Sequence, residues 1–216
     1  LALNSIAEKS RDAIYVEMES KLDRPTPFTM KSLRIDYASR KKQTTLQAAI
    51  LVKDKDLAKS KSLAESIGHE FTGGGRIRKR LEYALTHAGL ISSNEFVAPG
   101  VGAKLDKYGN ISNGQVIQIL SQLKAGIDPY SHSSNSKRSL ASRKRAGEMF
   151  WSRGSKLPRG VWMRNGRNVK PILLVVGKPS YKQRIDINRI TKRIVDAKLD
   201  QEFRKALDFA IRTARY

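Results

Sequence analysis

The chain has 216 residues, with 42 Lys and Arg against 20 Asp and Glu, a formal net charge of +22 at pH 7. It has no cysteine, which excludes disulfides, thiolate zinc sites and cysteine nucleophiles. Nothing resembles a signal peptide, and no apolar run approaches the ~20 residues needed to span a bilayer, so a cytoplasm, or an assembly built in one, is the expected setting. The first residue is Leu1 rather than Met, which leaves room for native residues ahead of it. A hydrophobic content of 39% is lean but sufficient for a core. The positive charge opposes compaction and favours polyanions or acidic protein surfaces as partners.

Leu3, Ile6, Ala7, Ile14 and Met18 lie on one stripe of a helix, which ends before Pro25 and Pro27. Leu33, Ile35 and Tyr37 then alternate with polar residues, as do Leu46, Ala48, Ile50 and Val52, and these two runs around a basic loop predict a half-buried hairpin. A short helix is expected around 57–67. Gly73, Gly74 and Gly75 precede a basic run, after which Leu81, Ala84, Leu85 and Ala88 have helical spacing and Gly89 stands as a C-terminal stop. Residues 96–102 read as a loop. Ser112 is placed to cap a short helix carrying Val116, Ile119, Leu120 and Leu123.

From 131 to 159 the composition changes. Six serines fall within 131–142, and eight basic residues face the single acid Glu148 over 137–159. Such a segment reads as a loop or a disordered arm unless a partner orders it.

Residues 160–216 carry the clearest pattern. Two apolar runs, 161–163 and 169–176, flank Asn165-Gly166, a strong hairpin signal. Pro171 is expected at an edge or outward-facing position, and the non-alternating run 172–176 suggests a strand covered on both faces. Asp186 or Asn188 would cap a helix running nearly to the end. Its apolar seam changes sides. Ile187, Ile190, Ile194 and Ala197 share one face, whereas Leu199, Phe203, Ala206, Leu207, Ala210 and Ala214 share roughly the opposite one. Either the helix breaks near 195–198, or its two halves pack on different neighbours, the second of which could be another subunit.

Residues with catalytic potential are not grouped. The three histidines, His69, His87 and His132, lack ligand-spaced companions and read as surface or cap residues. Gly100, Gly102 and Lys104 lack the spacing of a phosphate loop, and Leu105 stands where its hydroxyl would be. The triple glycine before Arg76 could present backbone N–H groups to a phosphate, or serve only as a hinge. Asp12 and Glu19 lie on the solvated side of a helix, without the convergent geometry of a carboxylate metal site. The chain therefore reads as a non-enzyme without cofactor or metal. Its strongest signal is basic: Arg76, Arg78, Lys79, Arg80, Lys137, Arg138, Arg143, Lys144, Arg145, Lys182 and Arg184 are the candidates for binding a polyanion or partner. Ile187, Ile190, Ile194, Phe203 and Leu207 are the candidates for a subunit interface.

The N-terminal helix, the first hairpin, the segment 97–110 (VAPGVGAKLDKYGN) and above all the ending resemble a known group. In that ending, 169–175 (VKPILLV) is followed by Tyr181 to Ile187 and a helix closing on 210–215 (AIRTAR). It resembles the minor tail protein Z and tail-completion group of lambda-like phages, over roughly 1–52 and 160–216 and more weakly between. The resemblance implies a virion structural role at the head-to-tail junction, in rings of six or twelve copies, beside portal, adaptor or tail proteins and near the passing double-stranded DNA. The long middle, 68–159, leaves open a tail-completion factor, a connector or adaptor ring, and a tail-tube component.

The expectation is thus an α+β fold. An N-terminal amphipathic helix, two β-hairpins forming a small antiparallel sheet and a long C-terminal helix make a core from 1–67 and 160–216. An insertion over 68–159 holds two short helices and the basic arm 131–159. The function expected is that of a structural ring subunit of a phage neck or tail, assembled in the host cytoplasm without membrane contact. The alternative is a sequence-nonspecific nucleic-acid-binding protein using its basic arms.

Overall fold

The computed structural model describes residues 1–39, 46–53, 63–126, 141 and 147–214. The fold is α+β, and the chain divides into two compact units, Leu1–Arg76 with Ser180–Tyr216, and Ile77–Pro179. The second unit is the inserted one. It starts and ends later than the division at 68 and 159, and it takes the C-terminal hairpin with it.

In the first unit, α1 (Ala2–Lys21) buries Ile6, Ala7, Ile14 and Met18 of the stripe expected from spacing, together with the polar Ser10, while Leu3 stays partly exposed. The short α2 (Pro27–Met30) starts with Thr26 accepting a hydrogen bond from the Thr29 N–H. Strands β1 (Leu33–Asp36) and β2 (Ala49–Val52) pair antiparallel with Leu33 opposite Val52 and Ile35 opposite Ile50. Helix α3 spans Leu63–Thr72, later than expected, and residues 57–62 lie outside the described ones. Gly74 and Gly75 form the two-residue strand β3, which pairs with β8 (Ser180–Tyr181). Gly74 and Gly75 are thus ladder backbone and the Gly73 N–H is bound to the His69 carbonyl, so the triple glycine lies several residues ahead of the next helix and is not a phosphate cradle at a helix start.

The long helix α6 (Ile187–Thr213) is unbroken over 27 residues and starts at Asp186, whose carboxylate accepts from the Arg189 N–H. It lies antiparallel along α1, with Ser5 and Lys9 reaching Glu202 and Glu17 reaching Arg189. The core of this unit gathers Ile14, Met18, Leu33, Phe71, Ile185 and Ile190.

In the second unit, α4 (Arg80–His87) and α5 (Asn113–Gln122) pack on a four-stranded antiparallel sheet. Its strand order is β4 (Phe96–Pro99), β7 (Asn168–Val176), β6 (Gly160–Asn165) and β5 (Glu148–Ser152). The two expected hairpins therefore belong to separate sheets. Segment 96–99, read as a loop, is a strand. Part of the presumed basic arm, 148–152, is another. Residues 127–140 and 142–146 lie outside the described ones.

The hairpin joining β6 and β7 is present, but Asn165 pairs with Asn168, so Gly166 and Arg167 form the turn. Gly166 takes φ 59° as its first central residue, the arrangement of a type II′ turn. The run 172–176 fails to alternate for a local reason. The register slips between Val161 and Trp162, which face Leu173 and Pro171, leaving Ile172 as the extra residue of a β-bulge. Ile172 and Leu173 are consequently both buried. Pro171 sits beside this bulge in a central strand, rather than at an edge, since a bulge also removes the need for its missing N–H.

Candidate assembly interface

The two halves of α6 have different surroundings. Ile190 is 2% exposed and belongs to the first unit's core, Ile187 packs against that core, and Ile194 is half-buried. Ile187 and Ile190, expected at a subunit interface, are thus spent inside the molecule. Beyond Val195 the apolar residues turn outward: Leu199, Phe203, Leu207 and Ile211 recur every fourth residue and are all exposed, Phe203 at 60%. The change of seam thus occurs without a break, because a continuous helix packs its first half on a core and carries its second half past it.

What holds the second half against α1 is polar. Glu202 is buried in the middle of the contact. Its carboxylate accepts from Lys9 Nζ at 2.5 Å, Ser5 Oγ at 2.6 Å and Lys205 Nζ at 3.2 Å. The Lys9 ammonium first, then Ser5 and Lys205, hold its carboxyl down to about 2. The clamp fixes the rotation of α6, and with it the outward direction of Phe203 and Leu207.

The basic candidates scatter. Arg76, Lys182 and Arg184 fall in the first unit, Arg78, Lys79 and Arg80 in the second, and Lys137, Arg138, Arg143, Lys144 and Arg145 outside the described residues. Arg78 is structural. Its guanidinium donates to Thr86 Oγ1 and the Ser92 carbonyl and lies near the rings of Tyr83 and Phe96. Arg184 stands 3.4 Å from Glu70, and its carbonyl accepts from Lys21 Nζ. Lys79, Arg80 and Lys182 are exposed.

His69 is less ordinary than expected. It packs against the Tyr181 ring at 4.6 Å and stands 3.3 Å from Glu70, and burial pushes its imidazole pKa down. The backbone N–H groups of Gly100 and Gly102 are bound to the Ile172 and Pro171 carbonyls, which removes them as anion donors. Among the described residues no group of three His, Cys, Asp or Glu is placed to hold a metal, and no helix is long and apolar enough to cross a membrane.

Sequence reasoning missed two features. Glu202 has a charged side chain at a polar position of the pattern, so its burial shows only once α1 lies opposite. A groove of about 640 Å³ in the second unit forms where α4 meets α5, from residues about thirty apart in sequence. No protein-family model, curated protein or solved structure matches this chain.

Proposed function

We propose that the protein is a structural virion component of a tailed phage, a ring subunit at the head-to-tail junction or in the tail. The observation that carries this reading is the exposed stripe Leu199, Phe203, Leu207 and Ile211 on a helix whose rotation is fixed by Glu202. A rigid helix that buries one face and displays an apolar stripe on another is built to be covered by a neighbour. The resemblance of both chain ends to the tail-completion group supplies the setting. The net charge of +22 suits an acidic portal or tail surface, or the DNA passing through.

Sedimentation and negative-stain imaging of the purified protein, alone and with portal or tail complexes, test the reading. Rings, or a ring of density on those complexes, are expected. Phe203→Asp should abolish assembly while leaving the monomer folded. A wild-type protein that stays monomeric and docks on no connector or tail overturns the proposal.

The second reading, a free nucleic-acid-binding protein, is favoured by the basic tip of the β6–β7 hairpin, where Arg167 lies in the turn and Arg164 just ahead of it, and by the charge as a whole. It requires monomers that bind duplex DNA with a steep salt dependence.

A further inference from the structure

The described residues of this chain display one convex and one concave apolar surface. One is the convex stripe on α6. The other is the open groove between α4 and α5, with a floor formed by Leu81, Ile111, Val116 and Leu120. Ile117 stands at its mouth, 54% exposed, and the exposed Lys79 and Arg80 mark its rim.

We infer that the α6 stripe of one copy docks into the α4–α5 groove of the next copy, as a helix laid into a groove. This deepens the ring reading and rests on it. The geometry of rings supports the pairing, because a closed ring needs a heterologous contact in which two different patches of one subunit meet. A stripe and a groove on the same chain are such a pair. Residues at four-residue spacing on one helix face are the usual anchors of helix-in-groove recognition.

Charge selects the register. Asp196 and Asp200 are exposed on the side of α6 that carries the first half of the stripe. Lys192 and Arg204 border the same stripe. A register that sets Asp196 and Asp200 against Lys79 and Arg80 pairs opposite charges, whereas one that brings Lys192 or Arg204 to that rim sets like charges together. Phe203 then enters over Ile117, the most exposed apolar residue of the groove, and both lose water on assembly.

The absence of native cysteine makes the test direct. Phe203→Cys and Ile117→Cys are prepared separately, and each alone, then the mixture, is treated with a short bismaleimide under conditions where sedimentation reports the assembly state. Covalent dimers are expected in the mixture only, and a ladder of multimers from the chain carrying both substitutions. Asp200→Arg should weaken assembly at least tenfold, and Arg80→Asp in the same chain should restore most of it. Dimers from Phe203→Cys alone would instead show a symmetric helix-to-helix contact and overturn the inference. Assembled protein without the mixed cross-link overturns it too, while leaving the ring reading standing. Protein that neither assembles nor cross-links, alone or on connector and tail complexes, removes both. Cross-linking within single chains carrying both substitutions, without dimers, would show the stripe and groove closing on each other in one molecule and also overturns the inference.

Discussion

Ser5 and Glu202 lie 197 residues apart in sequence, and their side chains are 2.6 Å apart. With Lys9 on the same carboxylate, that contact joins the start of α1 to the second half of α6 and sets which side of α6 faces out. Glu202→Gln keeps the shape and the Ser5 hydrogen bond but removes the ionic partner of Lys9 and Lys205. The wild-type carboxyl is held at about 2 against an ordinary value of 4.5. A depressed carboxyl pKa contributes stability that is complete above about 4.5 and is lost as pH falls toward about 2. Thermal unfolding followed from pH 7 down to pH 2 should therefore show wild type losing its advantage over Glu202→Gln across that window. A constant difference between the two proteins at every pH would refute the assignment. The gap should also narrow in high salt, since Lys9 and Lys205 are partly solvated.

A second prediction separates the two halves of α6. Ile190→Ala opens a cavity in the first unit's core and should cost about 2–5 kcal/mol in denaturant unfolding. Phe203→Ala removes a larger side chain, yet it should change monomer stability by no more than about 0.5 kcal/mol, because that ring is mostly in water. Equal losses in the two variants would mean that Phe203 is covered within its own chain.

How much of this was legible in the sequence follows from the range of the interactions. The stripe Ile6, Ala7, Ile14 and Met18, the first hairpin, and a cap at Asp186, one of the two candidates, depend on residues close together or on strict periodicity, and each is found. The opposite orientation of Ile190 and Phe203 was also visible, as an abrupt change of seam. Whether the helix would break there was not, because the residues that meet its second half, Ser5 and Lys9, lie at the other end of the chain. Strand β4 was hidden for a similar reason. Phe96–Pro99 ends in a proline followed by Gly100 and has no alternation of its own, and it becomes a strand by pairing with 173–176. The unit boundary was misplaced because the hairpin's sheet partners, β4 and β5, were read as loop and arm. Of the site candidates, basic residues in sequence clusters proved divided in space. Arg76 and Arg78 belong to different units, and Arg78 serves the fold.

Gly160 offers a test of the bulged sheet. Its φ is 154°, and a Cβ built there would lie 2.1 Å from the Leu173 carbonyl oxygen, a backbone atom that cannot swing aside. The close approach allows β6 to pair with the bulged part of β7, with Gly160 opposite Leu174. Gly160→Ala should destabilise the second unit by at least about 1–3 kcal/mol. Hydrogen exchange should show the loss as faster exchange across 160–176. Gly114 is the control: an added Cβ meets nothing within 4 Å at this first-turn helix position, so Gly114→Ala should be neutral or stabilising.

Arg78 and Arg80 are two residues apart and should respond oppositely. Arg78 spends its guanidinium on Thr86, Ser92 and two aromatic faces, so Arg78→Ala should lower unfolding stability by about 1–3 kcal/mol. Arg78→Lys should recover little of it, because an ammonium cannot reproduce a planar fork that donates to two acceptors while lying over rings. Arg80 is exposed at the rim of the α4–α5 groove, and Arg80→Ala should leave stability within about 0.5 kcal/mol of wild type. On a heparin column the order reverses. Arg80→Ala should elute at lower salt than wild type, whereas folded Arg78→Ala should elute with it. If Arg78→Ala instead weakens heparin retention without loss of stability, its guanidinium is available to partners and its structural assignment fails.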